Sequence, residues 1–326
     1  MDLIRRLFGT SKREAQGEAN GQSTTSVPET IGNSHAATAE PVDQPAEAVS
    51  APMQTRPLEP PKTYTTAQPS RQIKYGITSD VGRVRSNNQD GSMTLLATAE
   101  VTGSPPAIGL FVVADGMGGH KDGEHASAVT VQTIAHFVVE QIILPQLESR
   151  ELNADMKTIP EVLSEAMEAA NEAVQTHVPN GGTTATCVVI RGDLAYIAHV
   201  GDTRAYLITD GHIELITRDH SLVRRLQELG QLTDEEAEVH PQRNVLYRAI
   251  GQGDSLEVDA ATRRLPPSSR LLICSDGLWG VLGEDRMSEI IVACAEPQEA
   301  CDRMIMAANE SGGPDNITAI LIQMPD

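Results

Sequence analysis

Three aspartates carry the chemistry this chain could perform. Asp115 follows Ile108–Ala114, seven apolar residues in a row, and Asp276 follows the run LLICS that begins at Leu271. Asp315 stands just before another apolar run, Ile317–Met324, in GGPDNITAILIQM. A short continuous apolar run predicts a strand buried on both faces. A bare carboxylate at its end is costly unless something neutralises it. Gly116, Gly118 and Gly119 then let the backbone turn sharply and approach a ligand closely. A hard metal ion suits such a place, although a tight turn with an Asx cap explains any one of these residues equally well. Three carboxylates at strand ends, each close to glycine, suggest strands converging on one oxygen-lined site.

Two divalent ions bridged by a shared carboxylate bind a water between them. They lower its pKa from ~15.7 toward neutrality and place hydroxide in line with a phosphorus atom. All-oxygen ligands select Mg2+ or Mn2+ over zinc. A cation for the outer phosphate oxygens is then required, and the planar fork of an arginine meets that need.

The elements that must hold these residues follow from pattern and punctuation. Residues 74–96 predict two strands separated by a loop with Arg83 and Arg85. Residues 124–144 and 160–178 have helical apolar spacing, the first ended by Pro145. Residues 183–217 predict a run of strands joined at RGD, GD and TDG, hence adjacent hairpins, with Asp202 at a bend within one sheet. A helix over 220–229 stops at Gly230, and Thr233 with Glu236 forms a capping box for the next. Helices over 285–295 and 297–310, the second opened by Pro297, precede the last strand. Hairpins dominate, which implies antiparallel sheets covered by helices, an α+β architecture.

Composition bounds the rest. The chain has 326 residues, 40% of them hydrophobic but only 3% aromatic, so aliphatic side chains must fill the core. The formal net charge of -20 disfavours nucleic acid as a partner, which needs clustered Lys and Arg. The four cysteines have no paired spacing and fit a reducing cytoplasm. No apolar run approaches the ~20 residues of a membrane span. Residues 1–70 form a tail too poor in apolar residues to fold. It opens with Leu3, Ile4, Leu7 and Phe8 at helical spacing, a candidate docking segment. Residues 71–326 form the folded domain.

Eight segments together resemble, in order and spacing, the metal-dependent serine/threonine phosphatases of the PP2C type, in their bacterial branch. They are SDVGRVRSNNQD (79–90), VVADGMGG (112–119), GGTTAT (181–186), HVGDTRAYL (199–207), TRDHSLV (217–223), HPQRNVLYRAIG (240–251), CSDGLWG (274–280) and GGPDNIT (312–318). The resemblance implies a four-layer α/β/β/α sandwich of two antiparallel sheets flanked by helices. It implies that Asp115 bridges two metal ions, Mn2+ or Mg2+, and that Gly116 offers its backbone carbonyl to the second. Asp276 and Asp315 complete the first ion, Arg85 holds the substrate phosphate, and Asp202 binds a weak third ion. Asp90, Gln89 and Asn316 are implied as supporting residues, and residues 218–250 as a flap beside the cleft. Water attacks directly, with no phosphoenzyme. Phosphorylated proteins are the implied substrates, and a serine/threonine kinase is the functional counterpart of a cytoplasmic monomer.

Three positions depart from the pattern. Gln89 stands where many members carry Glu. Met117 stands where animal members carry a His thought to protonate the leaving group, and Gly280 where some carry an Asp that helps hold the third ion. Among single residues, His199 predicts a packed core histidine, and His220 and His240 predict structural or substrate-contacting roles. His120 is a weak candidate acid, and Asp90 is a support for Arg85 or for a metal-bound water. Two other functions are open to these residues: hydrolysis of a small phosphoester, and a catalytically dead binder of phosphoproteins. Intact Arg85, Asp115, Asp276 and Asp315 argue against the second.

Overall fold

The computed structural model describes residues 72–98, 107–119, 121–147, 157–253 and 255–326. The N-terminal tail, its opening segment and His120 lie outside the described residues. Two antiparallel sheets organise the body. One has the order β1-β11-β10-β7-β8, built from β1 (Lys74–Asp80), β11 (Ile317–Gln323), β10 (Arg270–Cys274), β7 (Arg204–Thr209) and β8 (His212–Leu215). The other has the order β2-β3-β5-β6-β9, built from β2 (Asp90–Ala97), β3 (Ile108–Met117), β5 (Ala185–Arg191), β6 (Leu194–Val200) and β9 (Asp259–Arg264). The short β4 (Gly182–Thr183) pairs with the end of β3.

Alternation along the strands divides the apolar interior into three layers. Leu110, Val112 and Ala114 of β3 face the helices α1 (Lys121–Val138) and α3 (Ile159–His177). Phe111 and Val113, one residue out of step, meet Ile273 of β10 and Ile320 and Ile322 of β11 between the sheets. Leu272, Ala319 and Leu321 point the other way, toward α6 (Asp276–Ala293) and α7 (Pro297–Glu310). This gives the expected four layers. The helix that continues α1 to residue 146 is long and apolar enough to cross a membrane. Its apolar face is spent on the core, where Ile134, Val138 and Ile143 are buried.

Several boundaries differ from the expectations. Pro145 does not end its helix. A π-turn (Val139–Ile143) intervenes, and the Leu144 N–H reaches Val139 O. A new turn, α2, then runs over Leu144–Leu147. Pro145 thus falls in a first turn, where its missing N–H costs little. The segment at Gly201–Asp202 makes no hairpin. Both neighbours of β6 are taken by β5 and β9, so the chain crosses at Gly201 to the other sheet, where β7 pairs with β10. Gly201 has φ +109, and a Cβ there would meet Thr184 Cβ at 2.5 Å. Strand β9, DAATRR, was not predicted, because it has no large apolar residue to show a period. Helix α6 begins at Asp276, not at residue 285, with Ser275 as its N-cap and a break at Gly283.

The segment 218–250, expected as a flap, is held at its neck. It contains α4 (Leu222–Glu228) and α5 (Asp234–Glu238), the latter with the predicted Thr233–Glu236 capping box. Its two ends pair with each other through Ser221 and Leu246, and its exit pairs with β4 through Ile250 and Thr183.

Candidate active site

Adjacent antiparallel strands bring the first two carboxylates together: Asp90 of β2 lies directly opposite Asp115 of β3. The Asp115 backbone is fixed on both sides. Its N–H donates to Thr184 Oγ1 at 3.0 Å, and its carbonyl accepts from Thr184 N at 2.9 Å and Thr183 Oγ1 at 2.8 Å. Asp115 therefore lies within a strand that continues to Met117 rather than at its end. Gly116 is required by crowding, since a Cβ would meet Gly123 O at 2.2 Å and Gln89 O at 2.6 Å.

The other two carboxylates come from the facing sheet. Asp276 opens α6 directly after β10, and Asp315 precedes β11. The loop carrying Arg85 is tied to the same corner by Asn316. The Asn316 side chain accepts from Gln89 N at 2.8 Å and donates to Val81 O and Asn87 O, both at 2.9 Å. Arg85 Nη2 donates to Asp315 Oδ2 at 2.6 Å, so Arg85 lies against the carboxylates and not outside them. Asp90 has no contact of this kind with Arg85. It accepts instead from the Ser275 hydroxyl at 2.8 Å, and Ser275 in turn accepts from Thr318 N at 2.9 Å. Ser275 was missed in the sequence, where its one signal is its place as N-cap before Asp276.

The electrostatics of this corner are strained. Burial and the charges of Asp276 and Asp315 push the Asp90 carboxyl up to about 7, against hydroxyl bonds from Thr318 and Ser275. Burial and Asp315 push Asp276 up to about 6, against contact with Asp115 and attraction to Arg85. Asp115 is raised well above the ordinary range by burial and by Asp90, Asp276, Asp202 and Asp315. Asp202 is 9% exposed and is likewise raised, by burial and by Asp276 and Asp219. Asp90 Oδ1 and Asp276 Oδ1 are buried with no hydrogen-bond partner. Among the described residues, no three His, Cys, Asp or Glu side chains already close round a common point. The aspartates are near enough to oppose one another's ionisation, which is the condition a cation relieves. An oxygen-only donor set with unsatisfied buried oxygens fits a hard divalent ion.

Beside Asp202 lies a second polar group that the sequence did not reveal. Arg204 grips Asp219 through Nε at 3.0 Å and Nη2 at 2.7 Å, and its guanidinium stacks on Trp279 at 3.5 Å. Trp279 Nε1 donates to Asp202 O at 3.0 Å. His199 is the predicted core histidine, 1% exposed and pushed down to about 4 by burial and by His220. It contacts Thr186 Oγ1 at 2.9 Å and Arg218 O at 3.0 Å. Met117 accepts a bond from Gln252 Nε2 at 3.5 Å. The concavity between α6 and α7, lined by Arg286, Ile290, Arg303 and Met306, lies in the outer helical layer, apart from these groups.

The profile of the protein phosphatase 2C family matches residues 77–317. The chain belongs to that family, the metal-dependent protein serine/threonine phosphatases. A putative protein phosphatase 2C-type of Streptococcus pyogenes is 36% identical over 255 residues, 77% of this chain and 97% of that one. The serine/threonine phosphatase stp of Listeria monocytogenes is 36% identical over 247 residues, 75% of this chain and 93% of that one. The crystal structure of the Mycobacterium tuberculosis serine/threonine phosphatase PstP/Ppp superposes with a TM-score of 0.64 at 31% identity, covering 78% of this chain and 99% of that one. The catalytic domain of PstP in complex with 2 manganese ions gives a TM-score of 0.62 at 31% identity, covering 78% and 99%.

Proposed function

We propose that Asp115, Asp276 and Asp315, with the Gly116 carbonyl, hold two divalent ions, Mn2+ or Mg2+, and that Arg85 holds the phosphate of a phosphoserine or phosphothreonine. The observation that carries this is the pair of orphaned buried oxygens on Asp90 and Asp276 within a set of mutually opposed aspartates. When bound, such ions neutralise the carboxylates, acidify a water and polarise the phosphoryl oxygens. The chain's own residues do the rest. Asn316 holds the 81–89 loop against Asp315, so Arg85 enters the cleft from a fixed base. Arg85 is bonded to Asp315 and 49% exposed, so it can exchange part of that bond for the phosphate oxygens. Thr183 and Thr184 fix the Asp115 backbone, and Ser275 orients Asp90. Met117 has no proton to give, so it leaves the acid role to another group.

Asp202 supports a third, weaker ion, since Gly280 supplies no side chain to help it. The substrates are phosphoproteins and the opposing enzyme is a serine/threonine kinase. The protein acts as a monomer, and its setting is the cytoplasm, a reading of the compartment supported by four free, buried cysteines. Residues 1–70 are a tail dispensable for hydrolysis, since the family match begins at residue 77. The test strips the protein of metal, titrates Mn2+ and Mg2+ by calorimetry, and follows phosphopeptide hydrolysis. Binding of two ions with recovery of turnover is expected. Turnover that survives exhaustive chelation overturns the reading.

A further inference from the structure

The flap root is fixed to the body at three successive residues, and the third holds the residue that precedes Asp202. His199 bonds Arg218 O, Arg204 grips Asp219, and His220 bonds Gly201 twice. His220 N donates to Gly201 O at 2.7 Å, and Gly201 N donates to His220 Nδ1 at 3.0 Å. Gly201 immediately precedes Asp202. The far side of the ring faces Asp259 Oδ2 at 3.2 Å and Arg248 Nη1 at 3.0 Å.

Donor and acceptor counting fixes the tautomer. A backbone N–H only donates, so Nδ1 presents its lone pair to Gly201. A neutral ring then carries its proton on Nε2, where the Asp259 carboxylate accepts it. Arg248 Nη1 satisfies itself on Asp259 Oδ1 at 2.8 Å. Arg248 leaves the flap and Asp259 begins β9, so both anchors stand outside the flap's own helices.

We propose that His220 is a positioning residue for the hydrolysis. Its Nδ1 holds the Gly201 amide and so sets the Asp202 carboxylate toward the centre, while Asp259 keeps the ring in the tautomer this requires. The inference rests on the assignment of Asp202 to that centre. Without Asp259, Nε2 faces Arg248 alone and is better used as an acceptor. The proton then moves to Nδ1, donor faces donor at Gly201, and the loop is released. The flap root thus orients an acidic residue at the cleft as well as covering it.

Substitutions separate the two ends of the ring. His220→Asn keeps an acceptor at the reach of Nδ1, and His220→Gln places its amide at the reach of Nε2. Hydrogen exchange at the Gly201 amide, Mn2+ calorimetry and the kinetics of a small phosphoester are measured for each, and the His220 imidazole 15N shifts for the wild type and Asp259→Ala. His220→Gln should speed Gly201 exchange and lower kcat ~10-fold with little change in KM, as a displaced catalytic group does. His220→Asn should retain both properties. Asp259→Ala, at a residue whose side chain is 41% exposed, should move the proton to Nδ1 and speed Gly201 exchange even if His220→Gln does not fold. Equal behaviour of Asn and Gln, or an unchanged tautomer and Gly201 amide in Asp259→Ala, overturns the inference. Asp202→Ala is run in parallel. If it loses turnover while His220→Gln keeps it, the positioning role fails and the site stands. If Asp202→Ala keeps full turnover, the site assignment fails and takes this inference with it.

Discussion

The flap root and the carboxylate corner both bury charge, and they treat it in opposite ways. At the flap root, Arg204 pairs with Asp219 through two nitrogens, bonds Tyr206 and stacks on Trp279. Arg248 and His220 share Asp259. Each charge has its counter-charge inside the protein. At the corner, Asp90, Asp115, Asp276 and Asp315 crowd together beside one guanidinium, Arg85, itself half exposed, and the Arg204 that attracts Asp202 is already bound to Asp219. The first arrangement is complete as folded. The second is balanced only by something from outside, so the same currency of buried charge marks a structural joint in one place and a functional site in the other.

The largest effects should come from removing charge at the corner. Asp115→Asn or Asp276→Asn should lower kcat by on the order of 10³-fold, because each takes an anionic ligand from the cations that stabilise the transition state. The same substitutions should raise the Tm of the chelated protein, since they relieve repulsion. The pH dependence of the chelated protein carries the same sign. The folded-state values of Asp90 and Asp276 lie above the ordinary 3.8, at about 7 and about 6. Their contribution is therefore present below 3.8 and is lost as pH rises toward 7. Urea unfolding in EDTA across that window checks it. A chelated protein that gains stability over the window would dissolve the contrast with the flap root.

At the flap root, removing charge should only harm. Asp219→Ala leaves Arg204 buried without its partner and should cost about 3 kcal/mol of stability, with or without metal. Denaturant unfolding in EDTA and in Mn2+ measures both values. A large difference between the two conditions would show that this joint belongs to the centre.

Arg85 stands between the two regimes. Arg85→Ala should lower kcat/KM for a phosphopeptide by ~10–100-fold, the value of a charge-assisted bidentate contact. Because Arg85 is bonded to Asp315, its removal should also tighten Mn2+ binding slightly. Calorimetry beside steady-state kinetics separates the two effects. Weakened metal binding with unchanged substrate affinity would remove Arg85 from the phosphate-binding role.

The sequence disclosed the two regions unequally, and for a physical reason. Asp115, Asp276 and Asp315 were legible as candidates because each stands at the edge of an apolar run, a local signal. The strands beside them were legible for the same cause, and β3 was found with its burial on both faces. The flap root was not. Its charges pair across long stretches of chain, Arg248 with His220 and Asp259, and no local pattern announces a salt bridge. The crossing at Gly201 was misread because a short Gly-Asp connection looks alike whether it folds back in one sheet or passes to the next. Strand β9 escaped because its backbone, not its side chains, makes the pairing with β6. The start of α6 was hidden because Ser-Asp-Gly after a strand reads as a turn as readily as an N-cap.

The smallest effect tests the contrast most finely. Gly280 lies in α6, one turn beyond Asp276, and a Cβ added there meets no atom within 4 Å. Its neighbour Trp279 already touches the Asp202 backbone. Gly280→Asp therefore adds a carboxylate beside the uncompensated corner, with open space at its Cβ. Helix propensity favours the change by a few tenths of a kcal/mol. Repulsion from Asp276 at i,i+4 opposes it by about the same amount. The chelated protein should thus keep its stability within about 0.5 kcal/mol. With metal the balance should shift if the new oxygen joins Asp202 in holding the proposed weak ion. The Mn2+ concentration for half-maximal turnover should fall by ~3-fold, a gain of under 1 kcal/mol of the order expected for one partly hydrated contact. A metal titration of the rate, read beside Tm in EDTA and in Mn2+, decides it. If Gly280→Asp stabilises the protein equally in both conditions and leaves the metal requirement unchanged, the added charge has met no cation. The proposed metal-binding set would then extend no further than Asp115, Asp276 and Asp315.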